Sequence, residues 1–156
     1  MSVTVQTDMF DAGAQLSAFC HDLPDAGGVV SFTGIARMDD GKTERLELEA
    51  YPGFTEPWIE ALVAEARTRF SLSAAKVIHR VGSILPGEAI VFVATAARHR
   101  RQAFEGADFL MDHLKSRAPF WKKEHGPDGA RWIEPRQADY QDLTRWSADH
   151  TLKEGS

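Results

Sequence analysis

Apolar and polar positions recur along this chain with two periods, near 3.6 and near 2, and these predict its elements. Val3-Thr4-Val5 alternates weakly and reads as a short strand. Residues 11–22 suit a short helix with Leu16, Phe19 and Cys20 on one side, ended by Pro24 and Gly27-Gly28. Val29 to Arg37 is rich in β-branched and apolar residues and predicts a strand; 38–43 (MDDGKT) predicts a polar turn. Leu46, Leu48 and Ala50 alternate with Arg45, Glu47 and Glu49, the pattern of a half-buried strand. Thr55 is placed to N-cap a helix over 56–71, whose Trp58, Ile59, Leu62, Val63, Ala66 and Phe70 follow at helical spacing. Two strands, 76–81 and the nearly all-apolar 88–96, flank a Pro86-Gly87 turn, and the second reads as a buried central strand. A helix runs from the basic cluster at 98–101 to about Arg117, where Ala118-Pro119 stops it. Residues 120–124 and 131–134 predict a pair of short strands around a turn at 126–129. The polar tail, about 137–156, is expected to pack on the surface or fray. Hairpins mixed with helical crossovers favour an α+β fold: a mixed sheet with helices packed on it.

Composition narrows the class. A chain of 156 residues fits one domain, 1–156, with a single core. Its 43% hydrophobic content is ordinary for a globular protein, which excludes disordered and collagen-like chains. No apolar run reaches the roughly 18 residues of a membrane span, and the N-terminus does not resemble a signal peptide, so a cytoplasmic location is expected. A single cysteine forms no internal disulfide and runs no dithiol cycle. The net charge of -5 argues against a general nucleic-acid binder.

The charge is unevenly spread. Residues 98–123 hold seven Lys and Arg against three acids, while the remainder is acidic. A buried strand running into a helix sets that helix's N-terminus at the sheet end, where free N–H groups favour anions. His99 and Arg100 stand at this junction. The plainer alternative is a solvated basic cap. In the following helix Ala103, Ala107, Leu110 and Leu114 form an apolar stripe edged by Phe104 and Met111. Lys115 falls roughly 20° past Phe104, with its stem against the core and its amine at the rim. There it is either a lysine of lowered pKa, usable as nucleophile or acid, or one that merely covers apolar surface. Lys122 follows Ala118-Pro119-Phe120-Trp121; either it converges with Lys115 or it points to solvent from an alternating strand. Arg37 ends an apolar strand after Gly34, as a ligand contact or as an edge-strand charge.

Other signals are weak. There is no Gly-rich phosphate loop or dinucleotide fingerprint, and the six histidines lack metal-ligand spacing, so neither cofactor nor metal is expected. Cys20 reads as a packed core thiol.

Several motifs stand in a telling order: Phe32-Thr33-Gly34-x-x-Arg37, Tyr51-Pro52-Gly53-x-Thr55-Glu56, Ile78-His79-Arg80-Val81-Gly82, Pro86-Gly87 and His99-Arg100-x-x-Ala103-Phe104-Glu105. Met111-Asp112-x-Leu114-Lys115-x-Arg117-Ala118-Pro119-Phe120-Trp121-Lys122 completes the series. From about Val29 to Glu134 the chain resembles the large, catalytic subunit of molybdopterin synthase.

The resemblance implies a hammerhead-like α+β fold and a sulfurtransferase of molybdenum cofactor biosynthesis. That family converts cyclic pyranopterin monophosphate into molybdopterin by installing a dithiolene. The sulfur arrives as the C-terminal Gly-Gly thiocarboxylate of a small ubiquitin-like subunit. A homodimer of large subunits sits at the centre of a heterotetramer. By the match, Lys115 and Lys122 are the two active-site lysines, and Arg37, His99 and Arg100 hold the anionic pterin, some from the neighbouring large subunit. Ile35, Ala36 and Arg37, with Lys122, Lys123 and Glu124, correspond to stretches lining the substrate site. Ile35 stands where the family often has a basic residue. Two other readings remain: a non-catalytic module binding a ubiquitin-like tail or an anion, and a small RNA-binding domain. The second lacks interleaved aromatics.

Overall fold

Two four-stranded sheets and four helices make up the described residues. The computed structural model describes residues 3–37, 39 and 41–154, with side chains to residue 147. The elements run β1 (Val3–Gln6), α1 (Ala12–Cys20), β2 (Gly28–Ile35), β3 (Arg45–Ala50), α2 (Thr55–Arg69), β4 (Leu72–Arg80) and β5 (Gly82–Ile84). They continue with β6 (Ala89–Ala97), α3 (Arg100–Ser116), β7 (Phe120–Gly126), β8 (Gly129–Trp132) and α4 (Gln137–Glu154). The first sheet has the order β1-β4-β6-β2 and the second β5-β3-β7-β8. β1 pairs with β4 in parallel; every other pairing is antiparallel, so the first sheet is mixed and the α+β expectation holds.

The apolar 88–96 run is the buried centre of the first sheet, flanked by β4 and β2. On one face Val77, Val91 and Val93 pack against Ile59, Leu62 and Val63 of α2 and Ala103, Phe109, Leu110 and Leu114 of α3. On the other, Ile78, Phe92 and Ala94 are covered by Phe10, Leu16 and Phe19. A smaller cluster of Ala36, Leu48 and Ile84 joins the two sheets.

Several expectations are revised. Cys20 is exposed, while Ala12, Leu16 and Phe19 of its helix pack against the core. Thr55 is not the cap but the first helical residue, after Phe54. Its buried hydroxyl accepts from Tyr51 N–H at 2.8 Å and donates to the Pro119 carbonyl at 2.7 Å. Phe104 points outward, while Phe109 is fully buried, because Phe70 and Trp146 cover that flank of α3. The polar tail is a helix that inserts Leu143 and Trp146 and therefore belongs to the core. β5 is an unexpected element: the chain turns at Gly82, φ +86, leaves the first sheet and pairs with β3 of the second. The 120s hairpin turns at Pro127-Asp128, so both strands lie nearer the turn than expected. The expected turn over 38–43 includes Met38 and Asp40, which lie outside the described residues.

Candidate active site

A cleft of about 760 Å³ opens where the two sheets meet the C-terminal end of α3. Its walls are the end of β2 with Ala36 and Arg37, the end of β4 at His79, the last turns of α3, β7, and the 131–139 stretch. The local sequence aims the side chains. Helix α3 stops at Ser116, and Arg117 and Ala118 both return N–H groups to the His113 carbonyl. The bond from Thr55 pins Pro119, so β7 starts at a fixed place against α2. Along β7 residues alternate, and Phe120, Lys122 and Glu124 share the inner face. Trp121 and Lys123 take the outer face, where Lys123 Nζ sits 5.0 Å above the Trp132 ring.

Lys115 from α3 and Lys122 from β7 both line the cleft. Among the described residues neither forms an ion pair, whereas several arginines and carboxylates around them are matched. Arg131 holds Glu124 at 2.9 Å, Arg145 holds Asp112 at 2.6 Å, Arg37 meets Asp39 at 3.6 Å and Arg136 meets Asp139 at 3.8 Å. Glu124 also accepts from the Thr43 hydroxyl, and Asp112 from Trp146 Nε1 at 2.7 Å. Burial, reinforced by the Lys115 charge and opposed by Asp139, lowers the Lys122 ammonium to about 8. Lys122 is therefore mostly charged at neutral pH yet able to release a proton.

The expected residues fall into three groups. Ile35, Ala36, Arg37, Lys115, Lys122 and Glu124 line one cleft, although the Glu124 carboxylate is already engaged. Lys123 lies on the reverse of β7. His99 caps the far end of α3 and Arg100 opens it, so a helix of 1.5 Å rise per residue separates Arg100 from Lys115 by roughly 22 Å. Within one chain, then, they do not meet. Asp139, Asp112, Arg131 and Arg136 line the cleft without having been expected, since the 131–139 stretch has no periodicity that aims it inward. His79 also lines the cleft, and its apolar neighbours in the sequence give no sign of this. Among the described residues no cluster of His, Cys, Asp and Glu could hold a metal ion, and no helix is long and apolar enough to cross a membrane.

Two unpaired lysines in a cleft between the sheets and the helix end are the kind of arrangement that suits an anionic ligand. Comparison with known proteins narrows the class. The model of the MoaE protein family matches residues 5–117. A molybdopterin synthase catalytic subunit of Caulobacter vibrioides is 56% identical over 149 residues, covering 96% of this chain and 99% of that one. The solved molybdopterin biosynthesis MoaE protein of Burkholderia ambifaria is 43% identical, with a TM-score of 0.80 over 94% of this chain and 97% of that one. A Helicobacter pylori chain, solved as a complex of subunits 1 and 2 of molybdopterin-converting factor, is 20% identical with a TM-score of 0.75. It covers 87% of this chain and 92% of its own, and speaks for the fold alone. The chain belongs to the MoaE family, that of the molybdopterin synthase catalytic subunit.

Proposed function

We propose that this chain transfers sulfur from the C-terminal thiocarboxylate of a small ubiquitin-like partner to cyclic pyranopterin monophosphate, forming the dithiolene of molybdopterin. The observation that carries this reading is the convergence of two unpaired lysines on one cleft. Both reactants are anions, and the paired arginines alone would leave their charge unmatched. Lys115 and Lys122 supply preorganised positive charge where a thiolate attacks, a ring opens and an acyl group leaves. A lysine lowered to about 8 also suits proton transfer at the same place.

In the proposed sequence the thiocarboxylate sulfur bonds to a side-chain carbon of the substrate as that carbon's bond to oxygen breaks; in one round the cyclic phosphate opens and its freed oxygen keeps the electron pair, in the other the oxygen leaves as water. The resulting acyl–sulfur linkage ties partner to substrate. Water then splits that linkage, returning the partner as a carboxylate and leaving sulfur on the pterin. A second partner repeats the step. Ile35, Ala36 and Arg37 border the substrate from β2, and Glu124 braces the wall through Thr43 and Arg131. His99 and Arg100, about one helix length away, serve a site of the neighbouring large subunit in a homodimer, with a small subunit on each outer side. Lys123 contributes charge at the outer rim. No resident cofactor takes part. The protein acts in the cytoplasm as one domain over 1–156.

The test is reconstitution with thiocarboxylated partner and cyclic pyranopterin monophosphate. Lys115→Ala is expected to remove nearly all product while still binding the partner. Full turnover in that variant would remove the lysine from the reaction. Tight binding of the partner without turnover by the unaltered chain would favour a binding module.

A further inference from the structure

His79 has no part in the reaction above, yet it lines the same cleft. Side chains alternate along β4: Val77 faces α2 and α3, Ile78 faces the opposite side, and His79 follows Val77. The residue is 4% exposed, and its ring stacks on Phe120 with centroids 4.1 Å and planes 23° apart. Its Nδ1 lies 2.9 Å from the Arg80 carbonyl oxygen. A carbonyl only accepts, so Nδ1 carries the proton and Nε2 keeps a lone pair. Among the described residues Nε2 has no hydrogen-bond partner, and the one fully enclosed unpaired side-chain atom is Gln102 Oε1. Nε2 therefore keeps a small opening, and the space beside it is the cleft.

Burial first, then the charges of Lys122 and Lys115, outweigh the Arg80 bond and hold the imidazole down to about 4, so it is neutral at pH 7. A neutral acceptor in a cleft with two ammonium groups suits a ligand that carries an anion and an N–H side by side. The lysines face the negative charge, and Nε2 faces the N–H. Glu124 and Asp139 do not compete for that donor, because Thr43 and Arg131 engage both oxygens of the first and Arg136 both of the second. A chain ending in glycine has both features at once: the nitrogen of its last residue lies about 2.5 Å from the terminal carboxyl carbon. Drawn from water into the cleft, that backbone N–H loses its hydrogen bond unless the wall supplies an acceptor.

We propose that His79 binds the partner's tail: its Nε2 accepts a hydrogen bond from the N–H of the terminal glycine, while Lys115 and Lys122 face the thiocarboxylate. This rests on the reading that a Gly-Gly tail enters this cleft. His79→Asn keeps an amide donor near the Nδ1 position, for the Arg80 carbonyl, and removes the acceptor at Nε2. His79→Gln places an amide oxygen near the Nε2 position.

The test is a double-mutant cycle between His79 and that N–H. The small ubiquitin-like partner is made by semisynthesis with its terminal glycine, and again with glycolate in its place, which exchanges the N–H for an ester oxygen. Affinity of each form for the full chain is measured by calorimetry without pterin. The unaltered chain is expected to bind the glycolate form about tenfold more weakly than the glycine form. His79→Asn is expected to bind the glycine form about tenfold more weakly than the unaltered chain does, and to tell the two forms apart by less than about threefold. His79→Gln is expected to regain most of the preference for glycine. Should the Asn variant not fold, the near-isosteric His79→Phe is read in the same way. Equal discrimination by the unaltered chain and the folded variant would overturn the proposal, as would a defect confined to KM for the pterin in the reconstituted assay. Binding of neither form by the unaltered chain would instead overturn the functional reading itself.

Discussion

Replacing Lys122 by methionine removes a cation that the fold keeps largely out of water, and it is expected to stabilise the protein while disabling it. The ammonium titrates near 8 in the folded chain against 10.5 for a solvated lysine. Both values lie above pH 7, so at pH 7 the folded and unfolded chains are both mostly protonated and the full cost of holding the charge is present. At about 1.4 kcal/mol per pH unit that cost is up to about 3 kcal/mol. Between pH 8 and 10.5 the unfolded chain binds the extra proton, so the stability of the unaltered protein rises with pH and the cost fades. At pH 9.5 about 1.4 kcal/mol remains. Methionine fills a similar volume without a charge. Urea denaturation of both proteins at pH 7 and pH 9.5 reads the difference directly, because other titrating groups cancel. Lys122→Met is expected to be more stable by about 2–3 kcal/mol at pH 7, and by roughly half that at pH 9.5. A variant no more stable at pH 7, or a gain that ignores pH, would refute the view of Lys122 as a desolvated cation kept for function.

His79 predicts the acid side. Its imidazole titrates near 4 folded and 6.5 when solvated, so the unfolded chain takes up the proton first and stability drops as pH falls from 6.5 toward 4. Denaturation series should show His79→Gln losing less over that window than the unaltered protein; equal slopes would count against a neutral buried imidazole. Thr55→Val breaks the links to Tyr51 and Pro119 and should cost about 1–3 kcal/mol in urea melts, whereas an unchanged midpoint would show that this corner is held by packing alone. For the shared site, Arg100→Ala and Lys115→Ala are each expected to be inactive, and co-refolding equal amounts should restore about a quarter of the sites. No recovery would place Arg100 outside the neighbouring subunit's site.

Strong periodicity was readable from the chain alone. The 88–96 run and the 56–71 helix appear in the structure nearly as expected, because each buries one continuous apolar surface. Where a neighbouring element decides, the pattern misled. Phe104 and Phe109 are equally apolar, and only the packing of Phe70 and Trp146 determines which one goes inside. Cys20 shares a helix with Leu16 and Phe19, but the sheet covers too little of that helix to bury it. The site divided along the same line. That Lys115 and Lys122 face one cleft was legible from the resemblance; spacing alone left each open between cleft and surface. Asp139 enters from a tail whose polarity suggested the surface, and Arg136 from the residue just before it. The reach of His79 into the cleft depends on a Phe120 contact 41 positions along the chain, which no local pattern encodes.

The central claim is that sulfur comes from a partner and passes over this chain's lysines without resting on it. It is tested most directly by following labelled sulfur from a thiocarboxylated partner in a single-turnover mixture. The account predicts that label moves into the pterin with two partner molecules consumed per product, that Cys20→Ser leaves this unchanged, and that Lys115→Ala leaves the label on the partner. Label found on Cys20, or transferred at the full rate by Lys115→Ala, would contradict it.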